Sequence, residues 1–124
     1  MESLFDNCYS FTSSNLTSWD VRNVRNMKEM FNSTSAFTSE LGSWDVGNVG
    51  NMEATFKDAY SFTSTLDKWN VTSVANMDSL FEGAANFTSN LTDWCVEKIP
   101  TEPDDFATGS QVDESAFPDW GQLC

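Results

Sequence analysis

A pattern of about 25 residues that recurs along the chain is the feature that most constrains its fold. Large apolar residues return at fixed positions in each repeat. The clearest repeats carry Met27, Phe31, Phe37, Leu41, Trp44, Val46 and Val49, then Met52, Phe56, Phe62, Leu66, Trp69, Val71 and Val74, then Met77, Phe81, Phe87, Leu91, Trp94, Val96 and Ile99. One repeat is too short to enclose a core of its own, so we expect the repeats to stack.

Two short segments in each repeat have the spacing of regular secondary structure. Met27, Met30 and Phe31 lie at i, i+3 and i+4, which predicts a helical turn, and the preceding asparagine is a favoured N-cap. Trp44 and Val46 alternate with polar or small residues, which predicts a short strand. One parallel strand and one helical turn per repeat predict an α/β repeat solenoid. Its Phe side chains should form two internal columns and its Trp side chains a third.

The repeats divide the chain into a stacked region and a terminal cap. We assign four repeats, at residues 1–26, 27–51, 52–76 and 77–99, and a degenerate fifth repeat with the C-terminal cap at residues 100–124. At the 25-residue spacing, Phe106 in the cap aligns with Phe81. Cys95 and Cys124 flank the cap, and we hypothesise that a disulfide between them ties it to the last full repeat.

Charge and residue types exclude several classes of function. The chain has 6 Lys+Arg, 19 Asp+Glu and no His, for a formal net charge of -13. So acidic a chain is poorly suited to binding phosphates, and we expect no nucleic-acid partner. Without histidine there is no Ser-His or Cys-His pair and no histidine metal site. We predict no catalytic residue, no cofactor and no metal site, and no apolar run is long enough to be a transmembrane segment.

One motif is similar to that of a known family. Trp-Asp-Val-x-Asn-Val-x-Asn-Met occurs from Trp19 to Met27 and again from Trp44 to Met52. It resembles the repeat of the BspA-like surface proteins, leucine-rich-repeat-related solenoids also found in mycoplasma lipoproteins. The resemblance covers residues 1 to about 99, and the tail is similar to that family's terminal cap. It implies a leucine-rich-repeat-like, surface-displayed or secreted protein that acts in adhesion and protein binding without catalysis.

Hydroxyl side chains that recur once per repeat are the candidate partner-binding residues. They follow the second Phe of each repeat, where the family usually has Asn-Gln, and they are Thr12, Thr38, Thr63 and Thr88, with Ser39 and Ser64 beside them. We expect this hydroxyl ladder to bind a protein or a glycan. A second polar stripe, which includes Asp20, Arg22 and Asp45, should line the outward side of the strands. Stacked polar side chains often serve only to join neighbouring repeats, so a structural role stays open for both.

The alternative function is binding to ice or to a crystal surface, because a Thr-Ser column repeats hydroxyl groups at about the strand spacing. The chain starts on the repeat's own methionine, Met1, without the strand and cap that should precede it. We therefore expect a fragment of a longer array, or end-to-end self-association through the uncapped N-terminal repeat. The resemblance and the hypothesised disulfide predict an extracellular or cell-surface location, with the signal peptide not in this segment.

Overall fold

The computed structural model describes residues 16–124, and over this range the chain has almost no regular secondary structure. It contains one 3-10 helix, Glu114–Ala116, and two isolated parallel bridges, Asn26 with Asn51 and Asn51 with Asn76. No strand or α-helix is present in the described residues. The prediction of an α/β repeat solenoid with a strand and a helical turn per repeat is therefore wrong, and the leucine-rich-repeat description has no support in this structure.

The segment that was predicted to be a helical turn is a series of tight turns. The N–H of Met30 donates to the carbonyl of Met27 (3.1 Å), but the N–H of Phe31 donates to Thr55 in the next repeat (2.9 Å). Glu29 between them has a positive φ of 58°, which a right-handed helix does not allow. The apolar residues have the spacing of a helix, but every second backbone N–H donates to a carbonyl of the next repeat.

We call this part of the repeat the turn segment; it comprises residues 27–34, 52–59 and 77–84. Its amides alternate regularly between the carbonyl three residues back and the following repeat. Within the first turn segment the donors to the next repeat are Met27, Glu29, Phe31 and Ser33, whose acceptors are Asn51, Glu53, Thr55 and Lys57 at 2.7–2.9 Å. These bonds join neighbouring repeats side by side. They do not form a strand, because the residues of the segment are in turn conformation.

The asparagine that recurs before each turn segment has a different role from the predicted helix cap. The side-chain oxygen of Asn26 accepts the N–H of Lys28 (2.9 Å), two residues on, and Asn51 does the same for Glu53 (2.9 Å). This is an Asx turn. Since no helix follows, the N-cap prediction is wrong. In the first two turn segments the asparagine satisfies the one amide that neither set of backbone bonds reaches.

The predicted strand at Trp44 to Val46 is also absent, for a local reason. The Asp45 carboxylate accepts the N–H of Gly47 (3.0 Å), and the N–H of Val49 donates to Val46 (3.0 Å). Side-chain-to-backbone bonds of this kind compete with a strand ladder. Burial still alternates, with Trp44 and Val46 buried and Asp45 exposed.

The core lies inside the stack and is built from aromatic columns. The rings of Phe31 and Phe56 stack with centroids 5.6 Å apart, and Phe56 stacks on Phe81 at 5.8 Å. A parallel column runs through Phe37, Phe62 and Phe87, at 5.6 Å per step. The two predicted phenylalanine columns are thus confirmed. Each buried tryptophan donates its indole N–H to a leucine carbonyl of the preceding repeat, at 2.8 Å: Trp44 to Leu16, Trp69 to Leu41 and Trp94 to Leu66.

The C-terminal cap is held by the predicted disulfide. Cys95 and Cys124 are bonded, with their Cα atoms 6.1 Å apart, so this hypothesis is confirmed. Phe106, which the 25-residue spacing aligns with Phe81, packs its ring edge-on against that of Phe81, with centroids 5.6 Å apart. The N–H of Ala54 donates to Asp78, whereas that of Ser79 donates to Asp104 rather than to residue 103. The cap therefore has one additional residue before this point.

Several predictions concern residues outside the described range. Thr12, and the N-terminal repeat proposed to self-associate, lie within residues 1–15 or depend on them, so they stay predictions. The division into residues 1–26, 27–51, 52–76, 77–99 and 100–124 also stays a prediction, although the contacts between repeats recur at the same interval.

Candidate binding surface

The predicted threonines lie on one exposed face of the stack. Side chains alternate between core and solvent from Phe37 to Leu41, so that Thr38 and Glu40 are exposed while Ser39 is buried. The next two repeats follow the same alternation at their threonines. We call the resulting exposed set the threonine face; its members are Thr38, Thr63, Thr88, Glu40, Thr65 and Asn90.

The serines beside these threonines lie behind the face. Ser64 is completely buried, and its hydroxyl oxygen accepts the N–H of Leu41 in the preceding repeat (2.8 Å). Ser39 is only 8% exposed. The Ser89 hydroxyl accepts the N–H of Leu66 in the same way (3.1 Å). Ser39 and Ser64 are therefore shielded from solvent, unlike the exposed Thr38 and Thr63. The Ser64 and Ser89 hydroxyls accept backbone N–H groups of the preceding repeat.

This difference gives a test within one pair of neighbouring residues. Replacing Ser64 by alanine leaves the buried N–H of Leu41 without an acceptor, and we expect the free energy of unfolding to fall by about 1–3 kcal/mol. Replacing exposed Thr63 by alanine should change it by less than about 0.5 kcal/mol. Urea unfolding followed by tryptophan fluorescence measures both values. Equal losses in the two variants would contradict a structural role for Ser64.

The second predicted stripe has local structural roles. The Asp20 carboxylate accepts bonds from Nε of Arg22 (2.9 Å), from its terminal nitrogen (2.8 Å) and from its backbone N–H (3.1 Å). These bonds lower the pKa of Asp20 from 3.8 to about 2. Both side chains are more than half exposed, so the pair contributes little to stability. Asp45 likewise closes its own turn.

The pKa of Asp20 can be tested directly. Replacing Arg22 by glutamine should raise it towards 3.8, because the guanidinium that holds the carboxylate ionised is removed. Because the folded-state pKa lies below the unfolded one, any stability that the carboxylate contributes is present above pH 3.8 and is lost as the pH falls through about 2. An NMR titration of the side-chain carbon measures the pKa in both proteins, and an unchanged midpoint would contradict the assignment.

Four clefts in the described chain are lined by residues of the cap. One, of about 520 Å³, is lined by residues that include Thr92, Glu102, Glu114, Phe117, Asp119 and Trp120. A second, of about 230 Å³, shares Glu102, Glu114 and Phe117 with it. A third, of about 280 Å³, shares Thr92 and Asp119. The three clefts are therefore contiguous. A fourth, of about 390 Å³, opens between Asn76 and Asp104, where the cap has its additional residue.

Two cysteines and a glutamate lie close together at the attachment of the cap, but they do not form a metal site. In residues 16–124, Cys95, Glu97 and Cys124 are the one group of His, Cys, Asp or Glu side chains close enough to share an ion. The two sulfurs are bonded to each other, and a Glu97 carboxylate oxygen accepts the N–H of Cys124 (2.9 Å). The group serves the attachment of the cap.

Comparison with known proteins places the chain in a family. The family model described as "Mycoplasma protein of unknown function, DUF285" matches residues 1–120. The chain belongs to the DUF285 family. No curated protein and no solved structure matches it. The family match covers both the stacked repeats and most of the cap of this DUF285 protein.

Sequence reasoning missed part of the surface of this DUF285 protein. Glu40, Thr65 and Asn90 share the exposed face with the predicted threonines, and strict alternation along Phe-Thr-Ser-x-Leu would have found them. No pattern in the sequence predicted the clefts around Phe117 and Trp120, because these clefts depend on how the cap packs against the last repeat. No helix in the described part of the chain is long and apolar enough to cross a membrane.

Proposed function

We propose that this DUF285 protein is a non-catalytic repeat protein of the BspA-like type that binds a protein or a glycan at a cell surface or after secretion. The observation that supports this proposal is the threonine face, where three stacked repeats present a threonine at the same exposed position. The serine hydroxyls behind the face fix its backbone. The result is a regular polar surface on a rigid aromatic core.

The composition of the face suits a polar partner. Its hydroxyls, the Glu40 carboxylate and the Asn90 amide offer donors and acceptors but no large apolar patch. A glycan or a hydrophilic protein surface makes hydrogen bonds with such groups. The absence of histidine from the chain favours binding over catalysis, since the usual general base near neutral pH is missing. The disulfide favours an oxidising location outside the cell.

A triple variant tests the proposal. Thr38→Ala/Thr63→Ala/Thr88→Ala should weaken binding at least about tenfold, because each lost hydrogen bond contributes about 0.5–1.5 kcal/mol. The measurement is binding of the oxidised protein to an array of glycans and extracellular-matrix proteins. Thr72→Ala/Thr101→Ala/Thr108→Ala removes three exposed threonines outside the face and is the matched control. Equal loss in both variants, or no binding by the unaltered protein, would contradict the proposal.

Ice binding is the second candidate, and the regular spacing of the face favours it. Thr38, Thr63 and Thr88 each follow a phenylalanine whose ring stacks 5.6 Å from its neighbour, so the hydroxyls and methyls recur at a nearly constant interval. Beside them, however, Glu40 and Asn90 interrupt the second column, which has threonine only at Thr65. Thermal hysteresis that is lost in the same triple variant would support this function, and its absence at high protein concentration would exclude it.

A further inference from the structure

The cap carries a groove that differs in chemistry from the threonine face. We call it the cap groove and define it by Glu102, Glu114, Phe117, Pro118, Asp119 and Trp120, which line the largest of the contiguous clefts. Its floor is aromatic: Phe117 and Trp120 are both partly exposed and rest edge-on against the buried ring of Phe106, at 5.2 and 4.9 Å. These contacts hold both rings in place without a ligand.

The walls of the groove are acidic and have no cation beside them. No ion pair in residues 16–124 engages Glu102, Glu114 or Asp119, and no hydrogen bond from the described chain reaches their carboxylates. Residues 99–124 contain six Asp and Glu and no Lys or Arg. The groove therefore combines aromatic side chains with carboxylates that make no ion pair or hydrogen bond within the described residues.

We infer that the cap groove binds an arginine-bearing extended segment of a partner protein. A guanidinium group stacks on an aromatic face and at the same time donates paired hydrogen bonds to carboxylates, which an ammonium group does less well. The groove offers both at once. The adjoining clefts, which share Glu102, Glu114 and Asp119 with it, extend the acidic surface, so the occupant is a stretch of chain. This site does not depend on the threonine face.

A peptide pair tests the charge requirement. The probe is acetyl-Gly-Arg-Gly-Arg-Gly-amide, and its control has citrulline, a neutral isostere, in place of each arginine. At about 150 mM salt, where long-range attraction is screened, the arginine peptide should bind at least about tenfold more tightly than the citrulline peptide. Binding should shift the NMR signal of the Trp120 indole N–H. No detectable binding, or equal affinity of the two peptides, would overturn the inference.

Matched charge variants locate the site. Glu102→Gln/Glu114→Gln/Asp119→Asn should weaken binding of the arginine peptide at least about tenfold. The control is Glu40→Gln/Asp45→Asn/Asp67→Asn, which changes the net charge equally but lies outside the groove. It should change affinity less than about twofold. Equal loss in both variants would mean general attraction to an acidic protein and would overturn the inference. Thr38→Ala/Thr63→Ala/Thr88→Ala should bind the peptide like the unaltered protein, so the two proposals fail independently.

Discussion

Replacing Phe56 by alanine is expected to lower the free energy of unfolding by about 3–5 kcal/mol. Phe56 is completely buried where the two aromatic columns meet. Its ring contacts Phe62 at 4.2 Å in the same repeat and stacks on Phe31 and Phe81 in the repeats on either side. The substitution opens a cavity in the middle of the stack and removes ring contacts to both neighbouring repeats. Urea unfolding followed by circular dichroism measures the loss.

The control for this prediction is the exposed aromatic residue of the same repeat. Tyr60 is 48% exposed, and its replacement by alanine should change stability within about 0.5 kcal/mol. Similar losses in the two variants would show that the aromatic columns do not carry the stability of the stack.

Removing the disulfide is expected to cost about 3–4 kcal/mol, since Cys95 and Cys124 close a loop with a sequence separation of 29. The variant is Cys95→Ala/Cys124→Ala. We expect the cap to loosen first, because the Cys124 N–H bond to Glu97 and the Gly121 N–H bond to Val96 hold the chain end beside the bridge. Faster amide exchange at these two residues than in the turn segments would show this order.

The third cysteine must be controlled in this experiment. Cys8 lies outside the described residues, and Cys8→Ala in both the bridged and unbridged proteins prevents thiol exchange from altering the comparison. Unfolding of the two proteins at the same urea concentration would contradict a stabilising role for the bridge. Exchange that is equally fast throughout the chain would contradict the expected order, in which the cap loosens first.

The sequence predicted the core better than the backbone. Burial of Phe31, Phe56 and Phe81 follows from the size and interval of the apolar residues, and any stack of equal repeats brings them into line. The helical turn could not be separated from a run of tight turns, because both bring Met27, Met30 and Phe31 to one side. The deciding residue, Glu29, has a positive φ without being a glycine.

One signal for this conformation was present in the sequence. Gly83 occupies the place of Ser33 and Asp58 in the other turn segments, and all three have positive φ, at 73°, 61° and 58°. Glycine adopts this conformation without steric cost. Its presence in one repeat therefore indicated a positive φ at the equivalent position of the others. The threonines of the candidate site were predicted as part of a ladder, but the burial of Ser64 and the cap groove depend on packing between repeats and could not be read from spacing.

The backbone hydrogen bonds between turn segments run in one direction, and this limits what can end the stack. Over these segments each repeat donates N–H groups, and the repeat after it accepts them. In the last turn segment the N–H groups of Ser79, Phe81 and Gly83 therefore need carbonyls from whatever follows, and Asp104, Phe106 and Thr108 supply them. These three contacts require no N–H group from the terminating segment. Proline, which has no N–H, is thus admissible at Pro103, next to the first of these acceptors, whereas at Met27 or Met52 it would remove a bond to the next repeat.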